Sequence, residues 1–232
     1  MVDRLHQSRY TVRLAQLRNS GCDGRQNRSD GHRSNAENRS RKRPARRFRS
    51  RRQAHTRRHG RTHLAAVRAG SLMRIVTYNI RKAVGLDWRR DPLRIIRVLE
   101  ELDADVVALQ EADKRLGSRP AVLPQDHLYN HTGLRILQVT NGPSSGWHGN
   151  AILVRDNWTV LATERLSLPG IEPRGAVRAD LRGPEFDVTV IGTHLGLRRG
   201  CRQLQLAHLL DEIGNDRSKT IVAGDMNEWS TR

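Results

Sequence analysis

The chain is short of cysteine, of aromatic residues and of long apolar runs, and each shortage excludes something. Two cysteines, Cys22 and Cys201, make neither a disulfide framework nor a zinc cluster, so a reducing, cytoplasmic setting is expected. No apolar stretch approaches the roughly 18 residues that a membrane-spanning helix needs, which excludes a transmembrane segment. MVDRLHQSRYTVRLAQLRNS, at the start, carries Arg and polar residues where a secretory signal carries an apolar core, and no such signal is expected. Aromatic residues are 4% of the 232. In the first 72 residues they are Tyr10 and Phe48 alone, too few to build a stacking platform for nucleic-acid bases.

Charge is abundant and uneven. Lys and Arg number 42 against 24 Asp and Glu, a formal net charge of +18. Residues 1–72 hold 20 of the basic and 4 of the acidic residues, and residues 73–232 hold 22 against 20. The first segment also has only nine Leu, Ile, Val and Phe residues, too few to offset the entropy of ordering it, so disorder is expected there. Its densest run, Arg39 to Arg61, would be drawn to polyphosphate by counterion release, without sequence preference. The competing expectation is an upstream extension with no role, which Met73 favours by standing just before the first well-patterned strand.

From Met73 the pattern changes to short apolar runs separated by turns. MRIVTYNI reads as a buried strand, DPLRIIRVLEELDAD as a helix capped by Asp91 with Pro92 in its first turn, and VVALQE as a second strand. Residues 112–145, rich in Pro, Gly, Asn and Ser, read as loops. GNAILVR, WTVLATERLSL, PRGAVRADL and EFDVTVIGTHL follow as strands. GCRQLQLAHLLDEIG is a helix with Leu204, Ala207, Leu210 and Ile213 on one face and Leu206 and Leu209 beside it, and TIVAGDMNEW is a last strand. Strands paired mostly in sequence, with helices between them, give an α+β sandwich of two sheets with helices outside.

Asn79, Glu111, His194, Asp225 and Asn227 each end an apolar run. Such tips can converge at a sheet edge and make a site. Glu111 and Asp225 offer hard oxygen ligands and Asn79 and Asn227 neutral amides, a set that suits Mg²⁺ or Mn²⁺ rather than zinc. His194 is the residue type that moves protons near neutral pH. Arg174 is a candidate phosphate clamp, and Arg81 a weaker one beside Lys82, Arg89 and Arg90. Together these suit metal-assisted phosphoester hydrolysis. His127, His131, His148 and His208 read as loop or helix-surface residues without a role.

TYNI (77–80), LQE (109–111), HGNAIL (148–153), PRGA (173–176), GTHL (192–195) and GDMN (224–227) occur in that order. In this the chain resembles the endonuclease/exonuclease/phosphatase superfamily, which includes DNase I-like nucleases, abasic-site exonucleases, inositol polyphosphate 5-phosphatases and bacterial sphingomyelinases. The resemblance covers Met73 to Trp229 and none of the first segment. It implies a four-layered α/β sandwich and Mg²⁺-dependent cleavage of a phosphodiester or phosphomonoester, nucleic acid included. It also implies roles: Glu111 and Asn79 at the metal, His194 binding or protonating the scissile phosphate, Asp225 orienting or deprotonating the attacking water, Asn227 hydrogen-bonding the phosphate in the transition state, Arg174 facing the phosphate, and Asn150 in support beside it.

The resemblance stops before the Ser-Asp-His type motif that ends members of this superfamily. After GDMNEW the sequence reads Ser230, Thr231, Arg232. A C-terminally truncated, poorly stable and weakly active monomer is the expectation, with two rivals: a non-enzymatic nucleic-acid binder acting through the basic segment, and a non-functional gene fragment.

Overall fold

A computed structural model of the chain describes residues 3–7, 10–18, 72–114, 117–215 and 217–228, with backbone alone for the first two stretches and Leu72. In chain order they form β1 (Asp3–Gln7), β2 (Tyr10–Arg18), β3 (Leu72–Asn79), α1 (Pro92–Leu102), β4 (Val106–Gln110), α2 (Gln125–Thr132), β5 (Leu134–Ile136), β6 (Ala151–Arg155), β7 (Thr159–Leu168), β8 (Arg174–Arg182), β9 (Asp187–His194), α3 (Arg199–Ile213) and β10 (Thr220–Asp225). The strands make two sheets, ordered β1-β2-β3-β4-β6-β5 and β10-β9-β8-β7.

Three apolar clusters define the layers. Residues on one face of the first sheet, Met73 and Ile75 of β3, Val106 of β4 and Ile152 and Val154 of β6, pack with Val177, Ala179 and Leu181 of β8 and Val188 and Val190 of β9. This is the seam between the sheets. The alternate residues of the same strands, Val76, Tyr78, Val107, Leu109 and Leu153, pack outward with Ile95, Ile96 and Leu99 of α1 and Leu128 of α2. Beyond the second sheet, Leu166, Leu168, Ala176 and Ile191 pack with Leu209 of α3. The order is helix, sheet, sheet, helix, the expected four-layered sandwich. Because both faces of β3 and β4 are covered, their sequences read as continuous apolar runs rather than alternating ones.

The first helix forms as its sequence dictates. Asp91 accepts a hydrogen bond from the Arg94 N–H, Pro92 opens the first turn, and Asp103 closes the helix in a left-handed conformation at φ 47°. Burying Ile95, Ile96 and Leu99 stabilises the layer by about 1.5–3 kcal/mol for each side chain.

Three expectations need correction. Residues 112–145 are not all loop: α2 lies between Pro124 and Gly133, whose φ of 67° ends it, and β5 follows. Only Leu128 and Thr132 of α2 are buried, so the helix carries almost no apolar period. The apolar face assigned to the last helix is also not its packed face. Leu204, Leu206 and Leu210 are exposed, whereas α3 buries Arg202, Gln205 and Leu209 and packs Ile213 beside Leu209. Gln205 explains this, because it anchors the helix by accepting from the Gly196 N–H at 2.8 Å and donating to the Pro169 carbonyl at 3.0 Å.

Within the first segment, β1 and β2 form an antiparallel hairpin, and β2 pairs with β3 from Val12 opposite Tyr78 to Arg18 opposite Leu72. These strands lie inside the stretch expected to be disordered. A composition argument counts apolar side chains, whereas an edge strand is held first by the unpaired backbone of its neighbour, here the outer edge of β3. The Arg39–Arg61 run lies outside the described residues. Among the described residues no helix is long and apolar enough to cross a membrane.

Candidate active site

Two parallel strand pairs build the site. Helix α1 crosses from β3 to β4 and α3 from β9 to β10, which makes each pair parallel. Asn79 therefore lies opposite Gln110, one residue before Glu111, and His194 lies opposite Asp225. The rims of the two sheets meet through the Asn79 side chain. Its amide Nδ2 donates to Asp225 Oδ2 at 2.9 Å across the seam and reaches Glu111 Oε1 at 3.5 Å within its own sheet. Its Oδ1 accepts from the Arg81 N–H at 3.1 Å, which fixes the amide's orientation.

Glu111 has a cation on it already. The Lys82 ammonium is hydrogen-bonded to Glu111 Oε2, and the Lys82 N–H donates to the Glu111 carbonyl at 3.0 Å. Burial works to raise the Glu111 carboxyl, but the Lys82 hydrogen bond and charge, with smaller pulls from His194 and Asn79, hold it below the usual carboxylate range. Glu111 is thus ionised at neutral pH. His194 is buried, with its Nε2 3.8 Å from Asp225 Oδ2. Burial first, and then the Arg174 guanidinium, lower its pKa from the ordinary 6.5 against the opposing pull of Asp225 and Glu111. The ring is neutral at neutral pH and available to exchange a proton.

The other expected residues divide. Arg174 pairs with Glu172 at 2.9 Å, and Glu172 also accepts from the Leu197 N–H at 3.0 Å. That backbone bond, followed by Arg174, holds the Glu172 carboxyl below its usual range. Asn227 is buried beside Asp225, giving its N–H to Asp225 Oδ1 at 3.0 Å and its side-chain amide to the Leu195 carbonyl at 2.7 Å. Asn150 departs from the phosphate-binding expectation. Its Nδ2 donates to the carbonyls of Trp147 and Gly175, at 3.2 and 2.9 Å, leaving an acceptor oxygen that has no attraction for an anion. It pins the 147–150 turn to β8. Arg81 contributes its backbone to Asn79, and its guanidinium bonds to no carboxylate of the rim. His208 faces Glu212 along the outside of α3, and His127 and His131 are exposed on α2.

Lys82 and His148 were not singled out by sequence. Lys82 was lost among neighbouring cations, although its position three residues after Asn79 was a usable signal. His148 was hidden in a Gly/Ser-rich stretch, although it lies two residues before Asn150. Both have left-handed backbone, with φ of 57° and 50°, as do Glu111 at 53° and Asn227 at 48°.

The donors present fit a hard cation that keeps part of its water. Among the described residues no three His, Cys, Asp or Glu side chains come together as a cage. The carboxylates of Glu111 and Asp225, held by one amide and with a positive charge already drawn to Glu111, match an ion bound through one or two carboxylates and completed by phosphate oxygen.

Comparison with known proteins bears on the fold and the family. The chain is 36% identical over 88 residues to the uncharacterised protein YbhP of Escherichia coli (strain K12), a match covering 36% of this chain and 35% of that one. Its fold is similar to that of an endonuclease/exonuclease/phosphatase from Beutenbergia cavernae DSM 12333, with TM-score 0.53, 23% identity, and coverage of 68% of this chain and 48% of that one. It is also similar to D. rerio TDP2 complexed with single strand DNA product, with TM-score 0.50, 19% identity, and coverage of 67% and 61%. The chain thus spans about a third of the length of the curated relative and about half of the B. cavernae protein. Residues 76–232, more than half of the sequence, match the Endonuclease/Exonuclease/phosphatase family, and the chain belongs to that family.

Proposed function

We propose that the chain is a phosphoester hydrolase dependent on Mg²⁺ or Mn²⁺, acting on a phosphodiester or phosphomonoester. The observation that carries this reading is the Asn79 amide shared between Asp225 and Glu111, which gathers two oxygen ligands and a neutral imidazole from four strand ends. Glu111 and Asn79 stand at the ion, which when bound would neutralise charge on the phosphate oxygens.

The remaining steps belong to the chain's own groups. Asp225, fixed by Asn79 and by the Asn227 N–H, orients a water and accepts its proton as the water oxygen bonds to phosphorus and the ester P–O bond breaks. His194, neutral and 3.8 Å from Asp225, donates a hydrogen bond to a non-bridging oxygen and keeps its proton. Arg174, braced by Glu172, grips the phosphate through its guanidinium. Asn227 stabilises the charge that grows in the transition state. A nucleic-acid backbone is within this substrate class, in line with the DNA product in the similar TDP2 structure.

The test is hydrolysis of bis(p-nitrophenyl) phosphate and p-nitrophenyl phosphate by the purified chain, with Mg²⁺ or with EDTA. Metal-dependent turnover that falls about 100-fold or more in both Asp225→Asn and Glu111→Gln is expected. Turnover indifferent to EDTA or to both substitutions would overturn the reading, as would its absence from a chain whose circular dichroism is that of the folded protein.

A further inference from the structure

The rim of the first sheet does not end at Asn79. Strand β2 runs antiparallel to β3, so residues directly opposite each other share a face. Leu17 lies opposite Met73, Ala15 opposite Ile75 and Arg13 opposite Thr77. One step further along the same register, Thr11 of β2 comes level with Asn79, the last residue of β3. Strand β1 carries the rows outward, with Arg4 opposite Arg13 and His6 opposite Thr11. The closed end of the β1–β2 hairpin, where Gln7 pairs with Tyr10, is therefore at the catalytic rim. It lies on the side of Asn79 away from Glu111, since β3 has β2 on one edge and β4 on the other.

The order of residue types along this face sets it apart. In β3 the face that carries Asn79 is apolar at Met73 and Ile75, which belong to the seam between the sheets, and polar at Thr77 and Asn79. Strand β2 changes at the same level, from Leu17 and Ala15 to Arg13 and Thr11. A face that only meets solvent is polar along its whole length, whereas this one turns polar where it reaches the rim. At that end the hairpin places two arginines, a histidine and a threonine on the Asn79 face and no acid, because Asp3 lies opposite Leu14 on the other face. The carboxylates nearby already have partners, Lys82 on Glu111 and the Asn79 amide on Asp225. Among the described residues β10 is the edge of the second sheet, and no further strand of that sheet continues past it over the hairpin. Surplus positive charge and donors at one end of such a rim suit phosphate oxygen.

We propose that the β1–β2 hairpin is a working part of the active site, and that Arg13, with Thr11 and His6 of the Asn79 row, binds the phosphoester from the side opposite Arg174. This rests on the hydrolase reading above and adds to it residues that precede the matched stretch of 76–232. Strand β10 lies against β3 and β8 against β6, so Arg174, which opens β8, and the hairpin stand at opposite ends of the rim. The substrate is then held from both ends, with the two carboxylates between them.

Calorimetric titration of the full chain in Mg²⁺ tests it, with phenylphosphonate as the probe because its P–C bond is not hydrolysed. Arg13→Gln and Arg18→Gln each remove one positive charge from β2, but Arg18 lies opposite Leu72, at the end of β2 remote from the rim. At one salt concentration Arg13→Gln should weaken binding about tenfold, and Arg18→Gln should leave it within about twofold. Arg13→Lys should recover part of the loss, since it restores the charge without the fork. Urea midpoints on the same preparations separate lost binding from lost structure. Should Arg13→Gln unfold, His6→Gln on the outer strand is the second variant, with a loss of about threefold expected. Equal losses in Arg13→Gln and Arg18→Gln, or no loss in the folded Arg13→Gln or His6→Gln chain, overturn the proposal. Hydrolysis of bis(p-nitrophenyl) phosphate by the wild type, followed in parallel, separates the two readings. Turnover with phosphonate binding indifferent to the hairpin removes the hairpin's role alone, and Arg13-dependent binding without any turnover removes the hydrolase.

Discussion

Asn79 and Asp225 are 146 residues apart in sequence and in different sheets, yet the Asn79 amide donates to the Asp225 carboxylate at 2.9 Å. This bond and the longer one to Glu111 hold the two carboxylates of the rim at a fixed separation. Asn79→Ala should lower turnover about 10- to 100-fold, the usual cost of removing a group that orients metal-site ligands. It should also lower stability by about 1–3 kcal/mol, through the Arg81 N–H and the carboxylates left without their partner. Initial rates and urea midpoints on the same preparation check both parts.

Acidity should weaken the protein in two windows. The native state lowers both His194 and Glu111, from ordinary values of 6.5 and 4.5, so in each case the unfolded chain binds protons that the folded one does not. Stability is then fully present above the unfolded value and is lost as pH falls through the folded one. The His194 window opens below about pH 6.5 and the Glu111 window below about 4.5. Lys82→Met removes the chief favourable partner of the Glu111 carboxylate, so it should flatten the lower window and largely preserve the upper one. Urea midpoints measured from pH 8 to pH 4 in wild type and variant decide this.

Helix α3 offers a sharper contrast. Gln205→Ala leaves the buried Gly196 N–H without its partner and removes the donor to the carbonyl of exposed Pro169, and a loss of about 1–3 kcal/mol is expected. Leu204→Ser, on the exposed face, should stay within about 0.5 kcal/mol. If urea denaturation ranks the two the other way, the packed face of α3 is the apolar one.

Deleting residues 1–71 strips β2 from β3 and leaves seven residues of β3 with an open hydrogen-bonding edge. Such an edge pairs with whatever strand it meets. The shortened chain should elute from size exclusion as larger species that the full chain does not form, and a clean monomer of unchanged stability would show that β2 contributes nothing to the sheet.

Much of this was legible in the sequence for a physical reason. Strands covered on both faces read as apolar blocks, and a polar residue at the end of such a block has few reasons to be there other than a rim, which is how Asn79, Glu111, His194 and Asp225 were found. The Asp91-Pro92 start of α1 is a local signal and needs no tertiary information. Helix α3 misled because its most apolar stripe is not its packed stripe: one buried glutamine with two backbone partners outweighed three leucines. Lys82 escaped because its place on Glu111 depends on what it faces, and a basic loop does not declare its neighbours. Asn150 was found at the right place but with a different task, since sequence shows which residue is present and not where its amide donates.

Lys82, Glu111, His148 and Asn227 all adopt left-handed backbone without being glycine, a conformation that costs of order 1–3 kcal/mol for each residue. That energy is released when the rim opens and is not released when the middles of the strands open. Local opening is therefore easier at the ends of β3, β4 and β10 than a few residues earlier in the same strands, even where both are equally hidden from water. In native-state hydrogen exchange, amides at the rim should exchange ahead of the strand centres, so the rim comes apart, reversibly and often, long before the fold does.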